Sequence, residues 1–266
     1  MLGIIGGSGF YSAGHTENLR HIEVVTEYSD VAVPIELVET GKPFAFLARH
    51  GKEHHIPPHE INYRANIDAL RQAGVTEIVA INAVGGIAEG TGPGSIIVPD
   101  QLIDYTWGRH STFCGQSMRF VQHVDFSFPF DQALSDNLVS AVNTINDQSE
   151  AARPVMAGGV YGVTQGPRLE TAAEIRKMRR DGCDIVGMTA MPEAVLAREV
   201  DINYGLLALS VNWAAGILPT VVTMEEIEAV LVDGQQFLRR VIARIINARG
   251  DKALTRRRTN QSTGGS

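Results

Sequence analysis

Residues Ile78–Val84 read Ile-Val-Ala-Ile-Asn-Ala-Val, almost wholly apolar and rich in β-branched side chains. A strand with one wet face alternates apolar and polar residues; this one does not, so both of its faces need cover. Helices packed on the two sides of a sheet provide that cover. Other segments supply more strands. Leu2–Ile5 reads as a buried first strand ending in Gly6-Gly7-Ser8-Gly9. Ile22–Val25, Ala32–Val38 and Pro43–Ala48 follow, with a hairpin turn at Thr40-Gly41-Lys42 between the last two. Ile96–Val98, Met156–Val163, Asp184–Gly187 and Tyr204–Val211 complete the set. Helical periodicity predicts helices over 60–73, stopped by Gly74, over 132–144 and over 172–180. Pro192–Glu199 fits the first turns of another, with proline early in it. A final helix starts after Thr223, with Glu226 at the capping-box position, and runs to about Ala248. Residues 100–131 show no clean period and read as a long surface excursion, a kind of segment that often carries function. With no repeat and no linker, the alternation of strands and helices predicts one three-layer α/β domain over residues 1–249. The polar residues 250–266 read as a flexible tail.

Composition narrows the function classes. The 266 residues are 44% hydrophobic and 20% charged, enough to bury a sizeable core. The formal net charge is −7. From Asp251 onward one acid faces four bases, so the tail carries +3 and the body −10. An acidic body argues against broad nucleic-acid binding. No apolar run approaches the roughly 20 residues of a membrane span, and the N-terminus lacks a basic signal-peptide region. Two distant cysteines, Cys114 and Cys183, suit a reducing cytoplasm and exclude a disulfide framework or a cysteine zinc site.

Candidate chemistry sits at the ends of the expected strands. Gly3-Ile-Ile-Gly-Gly-Ser-Gly9 does not match the dinucleotide spacing, and no helical pattern follows it. It reads instead as a turn whose N–H groups and Ser8 hydroxyl cup an anion, or as a plain tight turn. Arg49 and His50 follow a strand and fit an anion clamp, the arginine offering a fork to two oxygens; the alternative is a solvated basic loop. His54, His55 and His59 lie close by, but Pro57-Pro58 breaks any helix and no H-E-x-x-H pattern exists, so no metal is expected. Asn82-Ala83-Val84-Gly85-Gly86 ends the most buried strand, where ligands bind in parallel sheets. Thr189 stands at a helix start, placed to bind an anion or simply to cap. Asn212 closes the last strong strand, with an amide suited to the edge of a heterocycle or to a turn. There is no defensible Ser-His-Asp order and no partnered cysteine nucleophile. An anion beside a polar ring, without covalent catalysis, is the chemistry implied.

These pieces, with Leu47-Ala-Arg-His-Gly51, Ile61-Asn-Tyr-Arg-Ala-Asn66, Gln165-Gly-Pro-Arg168 and Met188-Thr-Ala-Met-Pro-Glu193, run in family order over residues 2–248. In them the chain resembles the 5′-methylthioadenosine phosphorylase branch of the purine nucleoside phosphorylase superfamily. The resemblance implies a central mixed sheet flanked by helices, a homotrimer, and phosphorolysis of a 5′-modified purine nucleoside. Inorganic phosphate is then a co-substrate, and no cofactor or metal is required. By motif match, phosphate is held by Ser8, Arg49, His50, the Asn82-Ala83 segment and Thr189, and Met188 packs on the ribose. His123, in the excursion, matches a histidine that reaches the neighbouring subunit's 5′ pocket, which Met224 and Ile227 line.

One departure bears on specificity. Adenine-specific relatives carry Asp-x-Asp where this chain has Asn212-Trp213-Ala214. An amide offers a donor to a 6-oxo group and an acceptor to N7–H of the departing base. Without carboxylates there, the exocyclic amine of adenine loses its acceptor, and an unpaired buried polar group costs about 1–3 kcal/mol. Leu169 and Glu170 replace the Phe-Ser common in adenine-type relatives and also bear on base recognition. Met224 and Ile227 offer sulfur and aliphatic surface apt for a methylthio group. The expected substrate is therefore 5′-methylthioinosine. The alternatives are a methylthioadenosine phosphorylase releasing adenine and, in another class, a non-catalytic nucleotide-binding protein on the same fold.

Overall fold

The computed structural model describes residues 1–7, 19–39, 42–115, 121–219 and 222–262, of which 249–262 as backbone only. Strand β5 (Glu77–Gly86) contains the segment expected to be covered on both faces. Its side chains alternate between two cores. Ile78 and Ala80 pack with α1 (Tyr63–Gln72) and α4 (Ala190–Glu199), through Ile67, Leu70 and Leu196. Val79 and Ile81 pack with α2 (Gln132–Asp147) and α5 (Met224–Ser262), through Leu138, Val241 and Ile245. The result is a mixed sheet between two helical layers, as the sequence predicts.

Around β5 the topology creates a gap. β1 (Leu2–Gly6) pairs parallel with β4 (Phe44–Ala48) on one side and with β5 on the other. Its pairing with β5 stops at Ile5↔Ala80. β10 (Ile185–Gly187) pairs with the far end of the same strand, antiparallel, at Gly85 and Gly86. β11 (Asn203–Trp213) runs parallel to β5 along its opposite edge. The β5 edge from Ile81 to Val84 is thus left between two strands that approach from opposite directions. Chain direction changes there, and ligands bind at such switch points.

The remaining strands extend the sheet. β2 (Leu19–Val24), β3 (Val33–Val38) and β4 form an antiparallel set, with Val38 opposite Phe44. The hairpin turn expected between β3 and β4 falls partly on 40–41, outside the described residues. β6 (Ile96–Val98) pairs with β11 and β8 (Val155–Ala157), while β9 (Val160–Val163) pairs with β10 and β7 (Gln101–Asp104). α3 (Ala172–Arg180) is capped by Thr171 and Glu174 and packs at the sheet edge through Ile175 and Met178.

Three elements differ from expectation. Met156–Val163 is two strands, because Gly158 and Gly159 adopt φ of +91° and +105° and turn the chain. The 100–131 segment is not simply a surface excursion: it contributes β7 and buries Phe113 and Phe130. The Glu199 carboxylate anchors it, accepting from the Thr112 hydroxyl (2.6 Å) and the Phe113 N–H (2.7 Å). Finally, α5 begins at the expected Thr223–Glu226 reciprocal cap but stays helical to Ser262, past the fraying expected after Arg249. Ala253, Leu254 and the arginines at 256–258 are good helix formers, and no proline stops them.

Candidate functional site

The β5 gap opens into a cavity of about 490 Å³, within the range of small-molecule sites. Arg49 and His50 enter it from the end of β4, Asn82 and Ala83 from β5, and Met188 and Thr189 from the end of β10. Leu169 and Glu170 form another wall, Asn212 and Ala214 come from the end of β11 and the residue just after it, and Ile227 from α5. A register shift between Ser210 and Asn212 sets Asn212 opposite Gly85, a bulge of the kind that re-aims side chains beside sites.

At the anion end the groups form one network. Arg49 is buried, and its Nε and Nη2 donate to the two Glu193 carboxylate oxygens at 2.7 and 2.8 Å. Nη2 also donates to Asn82 Oδ1 (3.1 Å) and Nη1 to the Ile81 carbonyl (3.3 Å). Burial works against the guanidinium charge, but Glu193 more than restores it and the pKa rises. The fork expected to grip two phosphate oxygens is therefore engaged by Glu193. One Nη1–H lacks a partner among the described residues, so Arg49 offers an anion a single contact.

Asn82 is likewise engaged. Its Nδ2 donates to Tyr161 Oη (3.1 Å) and Thr189 Oγ1 (2.9 Å), while Oδ1 accepts from Arg49. The side chain assigned to phosphate on motif grounds is instead a relay between Arg49 and Thr189. Thr189 gains from this. Its oxygen already accepts, and its hydroxyl proton has no acceptor among the described residues. Although it is the N-cap residue of α4, its side chain makes no capping bond. The capping alternative is thus excluded for its hydroxyl. Gly187 makes room here, since a Cβ on it would lie 2.0 Å from Tyr161 Oη.

His50 is buried, and its Nδ1 lies 2.9 Å from the Ile56 carbonyl. A carbonyl can only accept, so Nδ1 carries the proton. Burial first, and the Arg49 charge next, push His50 down to about 4. The ring is neutral at pH 7 and presents Nε2 as an acceptor. It suits a phosphate oxygen that still bears a proton.

The opposite end is less tightly bonded. Asn212 Nδ2 donates to the Trp213 carbonyl (2.7 Å), leaving one N–H, and Oδ1 has no partner among the described residues. Glu170 accepts from the Thr164 hydroxyl (2.6 Å), and burial raises its pKa.

Several predicted site residues lie elsewhere. Trp213 turns away from the cavity, its ring packed over Gly92. Successive strand residues face opposite sides, so Asn212 and Trp213 do not share a wall. Met224 does not line the cavity and is 58% exposed, and His123 is exposed on the 100–131 segment. Ser8 is outside the described residues. Conversely, sequence reasoning gave no role to Glu193, Tyr161 or Tyr204, whose hydroxyl donates to Glu193 at 2.7 Å. Glu193 did carry a signal: a lone acid inside Ala190–Ala197, an otherwise apolar run. Among the described residues no cluster of three or more His, Cys, Asp or Glu could hold a metal ion.

The phosphorylase superfamily's family model matches residues 1–247, and the chain belongs to that family. Within it, the chain is 50% identical over 216 residues to a Xanthomonas campestris pv. campestris protein named "Probable S-methyl-5′-thioinosine phosphorylase", covering 81% of this chain and 84% of that one. A Pseudomonas syringae pv. tomato protein of the same name is 46% identical over 246 residues, covering 92% and 98%. Among solved structures, methylthioadenosine phosphorylase from Schistosoma mansoni in complex with adenine superposes with a TM-score of 0.86 at 31% identity, covering 94% of this chain and 91% of that one.

Proposed function

We propose that the protein catalyses phosphorolysis of 5′-methylthioinosine, a pentosyl transfer giving hypoxanthine and 5-methylthioribose 1-phosphate. The observation that carries this reading is the base end of the cavity. Among the described residues Asn212 presents an N–H and an Oδ1 without partners, Glu170 presents a half-buried carboxyl group, and Ala214 has no polar side-chain group. A 6-oxopurine offers an N1–H donor and an O6 acceptor. Glu170 accepts from N1–H, and the Asn212 N–H donates to O6 or its Oδ1 accepts from N7–H. Sites built on polar contacts reject analogues that leave those groups unpaired.

The C1′–N9 bond lengthens first, and its electron pair moves onto the purine, which takes up a proton from solvent at N7 as it leaves. Phosphate, held by the Thr189 hydroxyl, one Arg49 N–H and His50 Nε2, then bonds to C1′ from the opposite face. Holding both reactants in one cavity supplies much of the rate, and fixed dipoles at Asn212 stabilise charge on the leaving base. No cofactor takes part in this scheme.

A homotrimer completes the reading. Trp107, Val121 and Phe128 on the 100–131 segment are each more than 70% exposed, and Met224 lies uncovered at the start of α5. Exposed apolar groups of this size suit association. A neighbouring copy's segment, bringing His123, covers Met224 and Ile227 and closes the 5′ pocket. No helix among the described residues is long and apolar enough to cross a membrane. The cytoplasm, where purine and phosphate pools meet, is the compartment we assign.

The adenine complex of the Schistosoma mansoni relative favours a second reading, release of adenine from methylthioadenosine. Steady-state assays with methylthioinosine, methylthioadenosine and inosine, with and without phosphate, decide between them. The highest kcat/KM is expected with methylthioinosine, and only with phosphate present. A preference for methylthioadenosine overturns the base assignment. Absence of any phosphate-dependent base release leaves a nucleotide-binding protein.

A further inference from the structure

Arg109 lies between β7 and α2 and does not line the cavity. Its guanidinium nevertheless touches both walls. Nη1 donates to the Met188 carbonyl (2.8 Å), the Met191 carbonyl (2.5 Å) and Tyr63 Oη (3.2 Å). Nη2 donates to the Gln165 carbonyl (2.8 Å) and the Thr164 carbonyl (3.3 Å). The guanidinium carbon also sits 5.4 Å from the Tyr63 ring centroid.

The four carbonyl acceptors belong to the two segments that follow β9 and β10. Thr164 holds Glu170 through its hydroxyl, and Gln165 precedes Gly166, where an added Cβ would meet Met188 Sδ at 2.5 Å. Met188 and Met191 flank Thr189. We infer that Arg109 is a positioning residue that sets the separation between the base-facing and phosphate-facing walls. Four backbone carbonyls converge on it, and their negative ends repel one another once the cation is withdrawn. A planar group with donors on two nitrogens spans both segments; the compact ammonium of lysine does not. Misplacement of a reactant by about 1 Å can cost on the order of 10²-fold in rate.

The inference rests on the phosphorolysis reading, and the test separates the two. kcat and both KM values are measured for wild type, Arg109→Lys and Arg109→Gln, well below the unfolding temperature of each. In folded Arg109→Lys, KM for phosphate and for methylthioinosine both rise about tenfold or more, since both walls shift. A merely structural role lowers the active fraction, and so the apparent kcat, while KM stays put. Millimolar methylguanidinium restores part of the lost affinity in Arg109→Gln. Both KM values within twofold of wild type in either folded variant overturn the inference. So does failure of both variants to fold, which makes Arg109 a scaffold residue only. Wild type that releases no base with phosphate overturns the proposed function itself.

Discussion

The Thr189 hydroxyl accepts a 2.9 Å hydrogen bond from the Asn82 amide and makes no capping bond with the helix it precedes. Its proton has no acceptor among the described residues and can point into the cavity. Thr189→Val removes that donor. Hydrogen bonds to charged groups contribute roughly 1.5–3 kcal/mol, so KM for phosphate rises at least tenfold. Thr189→Ser keeps the hydroxyl and stays near wild type. Phosphate titrations of both variants check this, and equal KM values would remove Thr189 from the anion site.

Arg49 and Glu193 form a buried pair, and taking away one partner strands the other. Arg49→Ala lowers stability by about 3–5 kcal/mol, more than loss of one phosphate contact would explain. Arg49→Met combined with Glu193→Leu recovers much of that stability without recovering phosphate affinity. Urea midpoints and phosphate KM for the single and double variants test the separation. A double variant no more stable than Arg49→Ala contradicts it.

His50 makes stability depend on pH with a defined sign. Its pKa is near 4 in the folded protein and about 6.5 when unfolded. Between those values the unfolded chain binds more protons. Stability is thus complete above about pH 6.5 and declines as pH falls toward 4, by on the order of 3 kcal/mol for this group. His50→Gln flattens that part of the profile. Urea denaturation at about pH 7 and about pH 4.5 measures it; parallel losses in variant and wild type would exclude His50 as the source.

Asn212→Asp exchanges the amide for a carboxylate at the base. The N–H facing O6 disappears, and kcat/KM for methylthioinosine falls about tenfold or more. The ratio of methylthioadenosine to methylthioinosine turnover rises, because a carboxylate accepts from an exocyclic amine. Unchanged methylthioinosine kinetics would take Asn212 out of base recognition.

The layers of the fold were legible because β5 and its neighbours follow simple period rules. Ile78 and Val79 lie in different cores, as an unalternating strand requires. The strand-end logic also located Arg49, Asn82, Thr189 and Asn212 around one cavity. What it missed were partnerships. The Arg49 fork turns toward a carboxylate 144 positions along the chain, and no local pattern reports such a contact. Arg109 lies in an aperiodic segment whose acceptors are backbone carbonyls, which leave no trace in residue type.

The Arg49–Glu193 pair has a last consequence for traffic through the enzyme. Among the described residues, the one arginine at the floor of the cavity already has its counter-ion, and the neighbouring imidazole is uncharged. In the proposed reaction, phosphate and sugar phosphate then meet a charge-compensated guanidinium and oriented dipoles, with no uncompensated cation facing them. A floor with no exposed fixed charge leaves salt little to screen, so the phosphate KM is expected to change little as ionic strength climbs.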